Sequence, residues 1–77
     1  MEFHHITSDQ NILSGKPCIM GTRISVDMIL EWMASGASIA DVVNKYPALS
    51  EDAVKEALLY ASRIFHNEII IQTKNVA

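Results

Sequence analysis

The chain has 77 residues, of which 49% are hydrophobic and 19% are charged, and its formal net charge at pH 7 is −3. This composition argues against a disordered chain, and the length predicts a single domain over residues 1–77. The net negative charge excludes a surface that is basic overall, so any contact with nucleic acid must come from a local group of cations.

The compartment is predicted from cysteine usage and hydropathy. Cys18 is the single cysteine, so the chain cannot form an internal disulfide, and its N-terminus lacks the charged start and apolar run of a secretory signal. No apolar run approaches the roughly 20 residues that a transmembrane helix needs. We therefore expect a cytoplasmic protein that does not span a membrane.

An N-terminal arm, residues 1–24, is predicted from short apolar pieces that alternate with turn-forming residues. These pieces are Phe3, Ile6, Ile12-Leu13 and Cys18-Ile19-Met20. Gly15, Pro17 and Gly21 mark bends, because glycine permits backbone angles that other residues resist and proline fixes φ. We expect two or three brief strands that pair with each other or pack on the helices.

The body of the chain, residues 25–66, is predicted to contain three helices. Ser25 is a suitable N-cap for the first helix, Asp27 favours the positive end of its dipole, and Gly36 ends it. Its core stripe is Val26, Ile29, Leu30 and Met33. Met28 and Trp32, four residues apart, form a second apolar patch, which is a candidate interface with a partner or a second subunit.

Cap signals also delimit the second and third helices. The Ser38-Ile39-Ala40-Asp41 sequence is a capping box that begins the second helix, and Pro47 stops it. Ser50 caps the third helix, whose first turn contains Glu51 and Asp52. The inward-facing residues are predicted to be Ile39, Val42, Val43 and Tyr46 in the second helix, and Val54, Ala57, Leu58, Ala61 and Phe65 in the third.

The spacing of these last two helices is that of a helix-turn-helix, with residues 41–46 first and residues 50–65 second. The charges fit DNA less well, since the third helix begins with Glu51, Asp52 and Glu56, whose carboxylates repel phosphates. The candidate DNA-binding residues are Lys16, Arg23, Lys45 and Lys55. A trihelical bundle that does not contact DNA, with Arg23 paired to a carboxylate such as Asp27, is the alternative.

Other chemistry has little support in the sequence. The metal-capable residues are His4, His5, Cys18 and His66, and their spacing matches no compact ligand motif. Gly15-Lys16 lacks the rest of a phosphate-binding loop. We expect no metal, no cofactor and no enzymatic activity.

The tail, residues 67–77, has a different character because Ile69, Ile70 and Ile71 favour an extended strand. These isoleucines are candidates for a partner or dimer interface, either as a strand added within a dimer or as a peptide that docks on another protein. A chain this short and this apolar also predicts a homodimer.

Several motifs together resemble a known family. The matching residues are Ile12-Leu13-Ser14-Gly15-Lys16-Pro17, Gly21-Thr22-Arg23-Ile24-Ser25-Val26, Ile29-Leu30, Gly36, Ser38-Ile39, Tyr46-Pro47, Leu49-Ser50 and Ala57-Leu58. Over about residues 12–61 the chain resembles the DUF433 family, whose members look like VapB-type antitoxins with a helix-turn-helix.

The resemblance implies an antitoxin of a bacterial toxin–antitoxin pair. Such a protein neutralises a PIN-like ribonuclease toxin and represses its own operon, and any catalysis belongs to the toxin. A basic side chain inserted among the catalytic carboxylates of the toxin would inhibit it, with Arg23, Arg63 and Lys74 as candidates. The family likeness also favours a tail that docks on the toxin.

We therefore predict a mainly α chain of the α+β class, with a strand-and-turn arm, a trihelical helix-turn-helix-like body and a C-terminal tail. Two other functions compete with the antitoxin role. One is a free-standing DNA-binding regulator. The other is a protein-interaction module that does not bind DNA and depends on Met28 and Trp32.

Overall fold

The computed structural model, which describes residues 3–68, contains a short two-stranded sheet followed in the chain by three helices. The elements are β1 Ile6–Thr7, β2 Cys18–Ile19, α1 Val26–Ala34, α2 Ile39–Lys45 and α3 Glu51–Glu68. The strands are antiparallel, with Ile6 opposite Ile19 and Thr7 opposite Cys18. This is the predicted α+β arrangement. Across residues 3–68, none of the helices has the length and apolar character needed to cross a membrane.

The helices begin where local capping residues predict. The Ser25 hydroxyl accepts the N–H of Met28 at 3.2 Å at the start of α1. At the start of α2, the Ser38 hydroxyl accepts the N–H of Asp41, while the Asp41 carboxylate accepts the N–H of Ser38. After α1 the chain passes through Gly36 at φ +110°, a left-handed conformation that favours glycine and ends the helix. The cap predictions are therefore confirmed.

A single core forms where α1, α2 and α3 meet β2. Its buried residues are Ile19, Val26, Ile29, Val42, Leu49, Ala53, Val54, Ala57 and Ala61. The predicted stripes of α1 and α2 are confirmed, because their remaining members are half-buried and pack against this core. Cys18 is also fully buried.

The predicted stripe of α3 needs one correction. Val54, Ala57 and Ala61 are buried as predicted, but Leu58 is only half-buried and lies outside the core cluster. Ala53 is buried instead, because residues four apart share a helix face and Ala53 therefore extends the line of Ala57 and Ala61. The side chain of Phe65 lies outside the described part of the chain.

The N-cap of α3 is expected to contribute measurably to stability. The Ser50 hydroxyl accepts the N–H of Ala53 at 3.0 Å, which satisfies a donor that the helix itself leaves unpaired. Ser50→Ala should lower the free energy of unfolding by about 1 kcal/mol in urea denaturation. Ser62→Ala is the control, since its hydroxyl bonds the Leu59 carbonyl on an exposed part of the same helix. Equal losses from the two variants would contradict the cap assignment.

Candidate functional site

The segment from the last residue of β2 towards α1, residues 19–24, is a tight turn held at both ends by hydrogen bonds. The N–H of Ile19 donates to the carbonyl of Ile24 at 2.9 Å, and the N–H of Thr22 donates to the carbonyl of Ile19 at 3.0 Å. The Thr22 hydroxyl also donates to the Ile19 carbonyl and accepts the N–H of Ile24. Gly21 has φ +81°, which other residues rarely adopt. The turn is therefore a preformed structure.

Two exposed side chains, Met20 and Arg23, extend from this turn. Met20 is 57% exposed, a high value for a large hydrophobic residue. Arg23 is exposed as well. The sequence suggests Asp27 as a partner for Arg23. Asp27 instead accepts hydrogen bonds from the Ser25 hydroxyl and from Lys16 Nζ. The turn thus presents a cation and an apolar side chain close together in the sequence.

The other three candidate DNA-binding residues are lysines in different parts of the chain, and the ammonium group of each lies near a carboxylate or an aromatic ring. Lys16 Nζ is 3.4 Å from an Asp27 oxygen. Lys55 Nζ is 2.9 Å from a carboxylate oxygen of Glu51 one helical turn away, and this hydrogen bond raises the pKa of Lys55. The ammonium of Lys45 lies 5.8 Å from the centre of the ring of its neighbour in sequence. Lys16 and Lys55 thus each lie beside a carboxylate, whose negative charge opposes the approach of a phosphate.

Glu56 joins the arm to α3. One of its oxygens accepts the backbone N–H of His5 at 2.6 Å, and the other lies 2.9 Å from Nδ1 of the same histidine. Close by, the rings of Phe3 and Tyr60 meet edge to face at 5.2 Å. The Glu56 side chain is only 15% exposed. In contrast to the sequence prediction, it is therefore not part of the exposed acidic start of α3.

Most of the arm, the turn and the helical body as far as Ala61 coincide with a region shared by other proteins. The sequence profile described as "Protein of unknown function (DUF433)" matches residues 6–61. The chain belongs to the DUF433 family. An uncharacterized protein of Sinorhizobium fredii (strain NBRC 101917 / NGR234), y4eO, is 32% identical over 56 residues, which are 73% of this chain and 25% of y4eO.

The DUF433 chain thus spans about a quarter of the length of this curated relative. No solved structure matches it. The family match confirms the family expected from the sequence, whereas the VapB-type, helix-turn-helix character of its members stays a prediction.

Half of the Met28–Trp32 patch has a structural role in this DUF433 chain. Trp32 stacks on Tyr46 with ring centroids 4.4 Å apart and planes only 8° from parallel, and both residues pack against the core. This stack joins α1 to the end of α2. Met28 is half-buried on α1. A role of these two residues in partner binding stays a prediction, and Ile69, Ile70 and Ile71 lie outside the described residues.

Metal-binding residues do not converge in the part of the chain that the structure describes. Among residues 3–64, whose side chains the structure describes, no group of three His, Cys, Asp or Glu side chains is placed to hold an ion. His5 contacts Glu56, and Cys18 is fully buried.

The Glu56 contact is expected to make stability depend on pH. The backbone N–H of His5 is the main cause that lowers the pKa of Glu56 below its ordinary value of 4.5. The stabilisation is therefore present above pH 4.5 and is lost as the pH falls through the pKa of the folded state. Glu56→Gln should destabilise the chain at pH 7 and have a smaller effect at pH 3, which lies below the ordinary pKa of 4.5, as measured by urea denaturation.

The control for this experiment is Glu31→Gln, on an exposed position of α1. It removes the same charge without affecting the arm, so its effect should be small at both pH values. A loss from Glu56→Gln that is the same at pH 7 and pH 3 would contradict the ionic part of the contact.

Proposed function

We propose that this DUF433 protein is an antitoxin that binds and neutralises a PIN-like ribonuclease toxin through the turn at residues 19–24. The observation that carries the proposal is that Arg23 and Met20 are both exposed on the same hydrogen-bonded turn. A guanidinium binds carboxylates through two parallel hydrogen bonds, and a metal-dependent nuclease places carboxylates in its catalytic site. Arg23 would occupy those carboxylates in place of the metal or the RNA.

The preformed turn favours such binding for a physical reason. Ordering a flexible loop on association costs free energy, and the bonds of Thr22 remove much of that cost before the toxin arrives. Met20 adds exposed apolar surface to the turn that carries the cation, and methionine and arginine are both enriched in protein interfaces. Arg63 is a weaker candidate because it already has an interaction partner, and Lys74 lies outside the described residues.

The first test is co-expression of the tagged chain with the product of the adjacent gene. A complex of defined stoichiometry in size exclusion with light scattering, together with restored growth of cells that express the neighbour, is the expected result. If the chain elutes without the neighbouring protein and does not restore growth, the antitoxin proposal is wrong. Catalysis would belong to the toxin, so ribonuclease activity should be present in the neighbour and absent from this chain.

Repression of its own operon through DNA binding is the second candidate function, and the arrangement of α2 and α3 favours it. Residues 46–50 join the two helices, and Leu49 within this connection is buried. The basic residues available for phosphates are Lys16, Arg23, Lys45 and Lys55. The engagement of Glu56 with His5 removes one carboxylate from the surface that would face DNA.

Fluorescence anisotropy with duplex DNA from upstream of the operon tests this second function. Specific binding should weaken steeply between 50 and 200 mM salt, with a slope of about −0.9 in log–log form for each phosphate contacted. Binding that is absent at low salt, or equal for a scrambled duplex, would exclude the regulator role and leave the antitoxin role in place.

A further inference from the structure

An apolar groove of about 250 Å³ lies between α1, α3 and the arm segment that precedes β2. Its walls are formed by Pro17, Val26, Leu30, Tyr60, Ala61 and Ile64. A cavity of about 150 Å³ is large enough for benzene, so this groove has room for at least one branched aliphatic side chain. Ala61 contributes only a methyl group to this lining. The groove is therefore suited to an apolar side chain that projects from another surface.

An exposed apolar side chain stands at the edge of the groove. Ile64 borders the groove on α3 and is 39% exposed. A two-fold axis brings the same patch of two subunits together, so each patch must complement itself. A patch that combines a hollow with an exposed isoleucine at its edge can meet this requirement, with Ile64 of each copy lying in the groove of the other.

The charges at the rim of the groove are also complementary to themselves. Lys16 and Asp27 lie there, 3.4 Å apart, with side chains 63% and 58% exposed. If a two-fold axis passes between these two side chains, Lys16 of one copy would face Asp27 of the partner subunit, and the reverse contact would form at the same time. A rim with charges of only one sign would instead repel its own copy.

We propose that this groove is a self-association surface, occupied by a second copy of the chain related by a two-fold axis. Ile64 of each copy fills the groove of the other, and Lys16 of each copy pairs with Asp27 of the partner subunit. The surface is independent of the proposed antitoxin role, since it needs no third component. It gives the homodimer predicted from the sequence a specific location in the described residues.

The first test compares two α3 substitutions in the full chain. Ile64→Asp places a charge in the proposed interface and should raise the dimer dissociation constant about thirtyfold or more in sedimentation analysis. Leu59→Asp is the matched control, since Leu59 is 37% exposed on the same helix and does not line the groove. Its dissociation constant should stay within about threefold of that of the unchanged chain. Circular dichroism checks that both variants are folded.

The second test separates contacts between copies from contacts within one chain. Lys16→Glu and Asp27→Lys should each weaken the dimer several-fold, because each places like charges together at both ends of the interface. In an equimolar mixture, mixed dimers should recover. The introduced glutamate then meets the introduced lysine, and the unchanged Asp27 meets the unchanged Lys16. Within each chain the two charges still repel, so this recovery requires contacts between copies.

Glu51→Lys and Lys55→Glu provide the control mixture, because this pair has the same chemistry on α3 outside the groove. Neither variant nor their mixture should change self-association. The proposal is wrong if the chain is monomeric at about 100 µM, a concentration at which even weak dimers form. It is also wrong if Ile64→Asp leaves the dimer unaffected or if the first mixture does not recover. Toxin binding by the same variants is measured separately, so the antitoxin proposal stands or falls on its own result.

Discussion

Leu49→Ala is expected to destabilise the chain severely. Leu49 is 2% exposed and lies in the core, within the connection between α2 and α3. Truncation of a buried leucine costs about 2–5 kcal/mol, through lost apolar burial and the cavity left behind. Because small domains have total stabilities near the lower end of about 5–15 kcal/mol, much of the margin would be lost. Thermal and urea unfolding followed by circular dichroism measure the effect.

Two further leucine variants make this prediction specific. Leu59→Ala removes the same atoms from a side chain that is 37% exposed, and should cost less than about 1 kcal/mol. Leu49→Met keeps most of the buried volume and should cost less than about 1.5 kcal/mol. If Leu49→Ala and Leu59→Ala have equal effects, Leu49 does not fill the core in the way that the structure describes.

The features that the sequence predicts well are those set by neighbouring residues. The caps at Ser25, Ser38 and Ser50 each bond a backbone N–H three residues ahead, so side chain and partner lie in one short stretch. The left-handed residue after α1 is likewise a glycine that can be read directly. Helix starts and the stripes of α1 and α2 follow from this local chemistry.

Leu49 shows why the core was harder to predict. It stands between Pro47 and Ser50, where turn-forming residues conceal any apolar periodicity. Its burial comes from the way in which α2 and α3 close over the connection, and local sequence does not encode that closure. The burial of Ala53 was also not predicted, because its small side chain gives a weak apolar signal.

Contacts between distant positions could not be predicted from the candidate site residues alone. His5 and Glu56 are 51 positions apart, and their pairing depends on how the arm crosses α3. The Lys16–Asp27 contact spans 11 positions, whereas the sequence suggested Arg23 for Asp27. The reason is a backbone bond at 2.9 Å, in which the N–H of Val26 donates to the carbonyl of Pro17. That bond brings Lys16 beside the start of α1.

Arg23→Glu is expected to abolish neutralisation of the toxin and leave the fold intact. Arg23 is exposed on the turn, and the bonds that hold the turn come from Thr22 and the backbone. If the guanidinium lies among the carboxylates of the toxin, a glutamate there adds repulsion to the lost hydrogen bonds. Affinity should then fall by about a hundredfold or more. Growth rescue and titration of purified toxin measure the loss, and circular dichroism verifies folding.

The matched control is Arg63→Glu, which makes the same charge change at an exposed position of α3 and should preserve rescue. Arg23→Lys should give an intermediate loss, because lysine keeps the charge but cannot form two parallel bonds to one carboxylate. Full rescue by Arg23→Glu would exclude this side chain as the inhibitor. If the same variant instead loses only its salt-dependent DNA binding, Arg23 acts on phosphates, and the inhibitory contact must lie elsewhere on the chain.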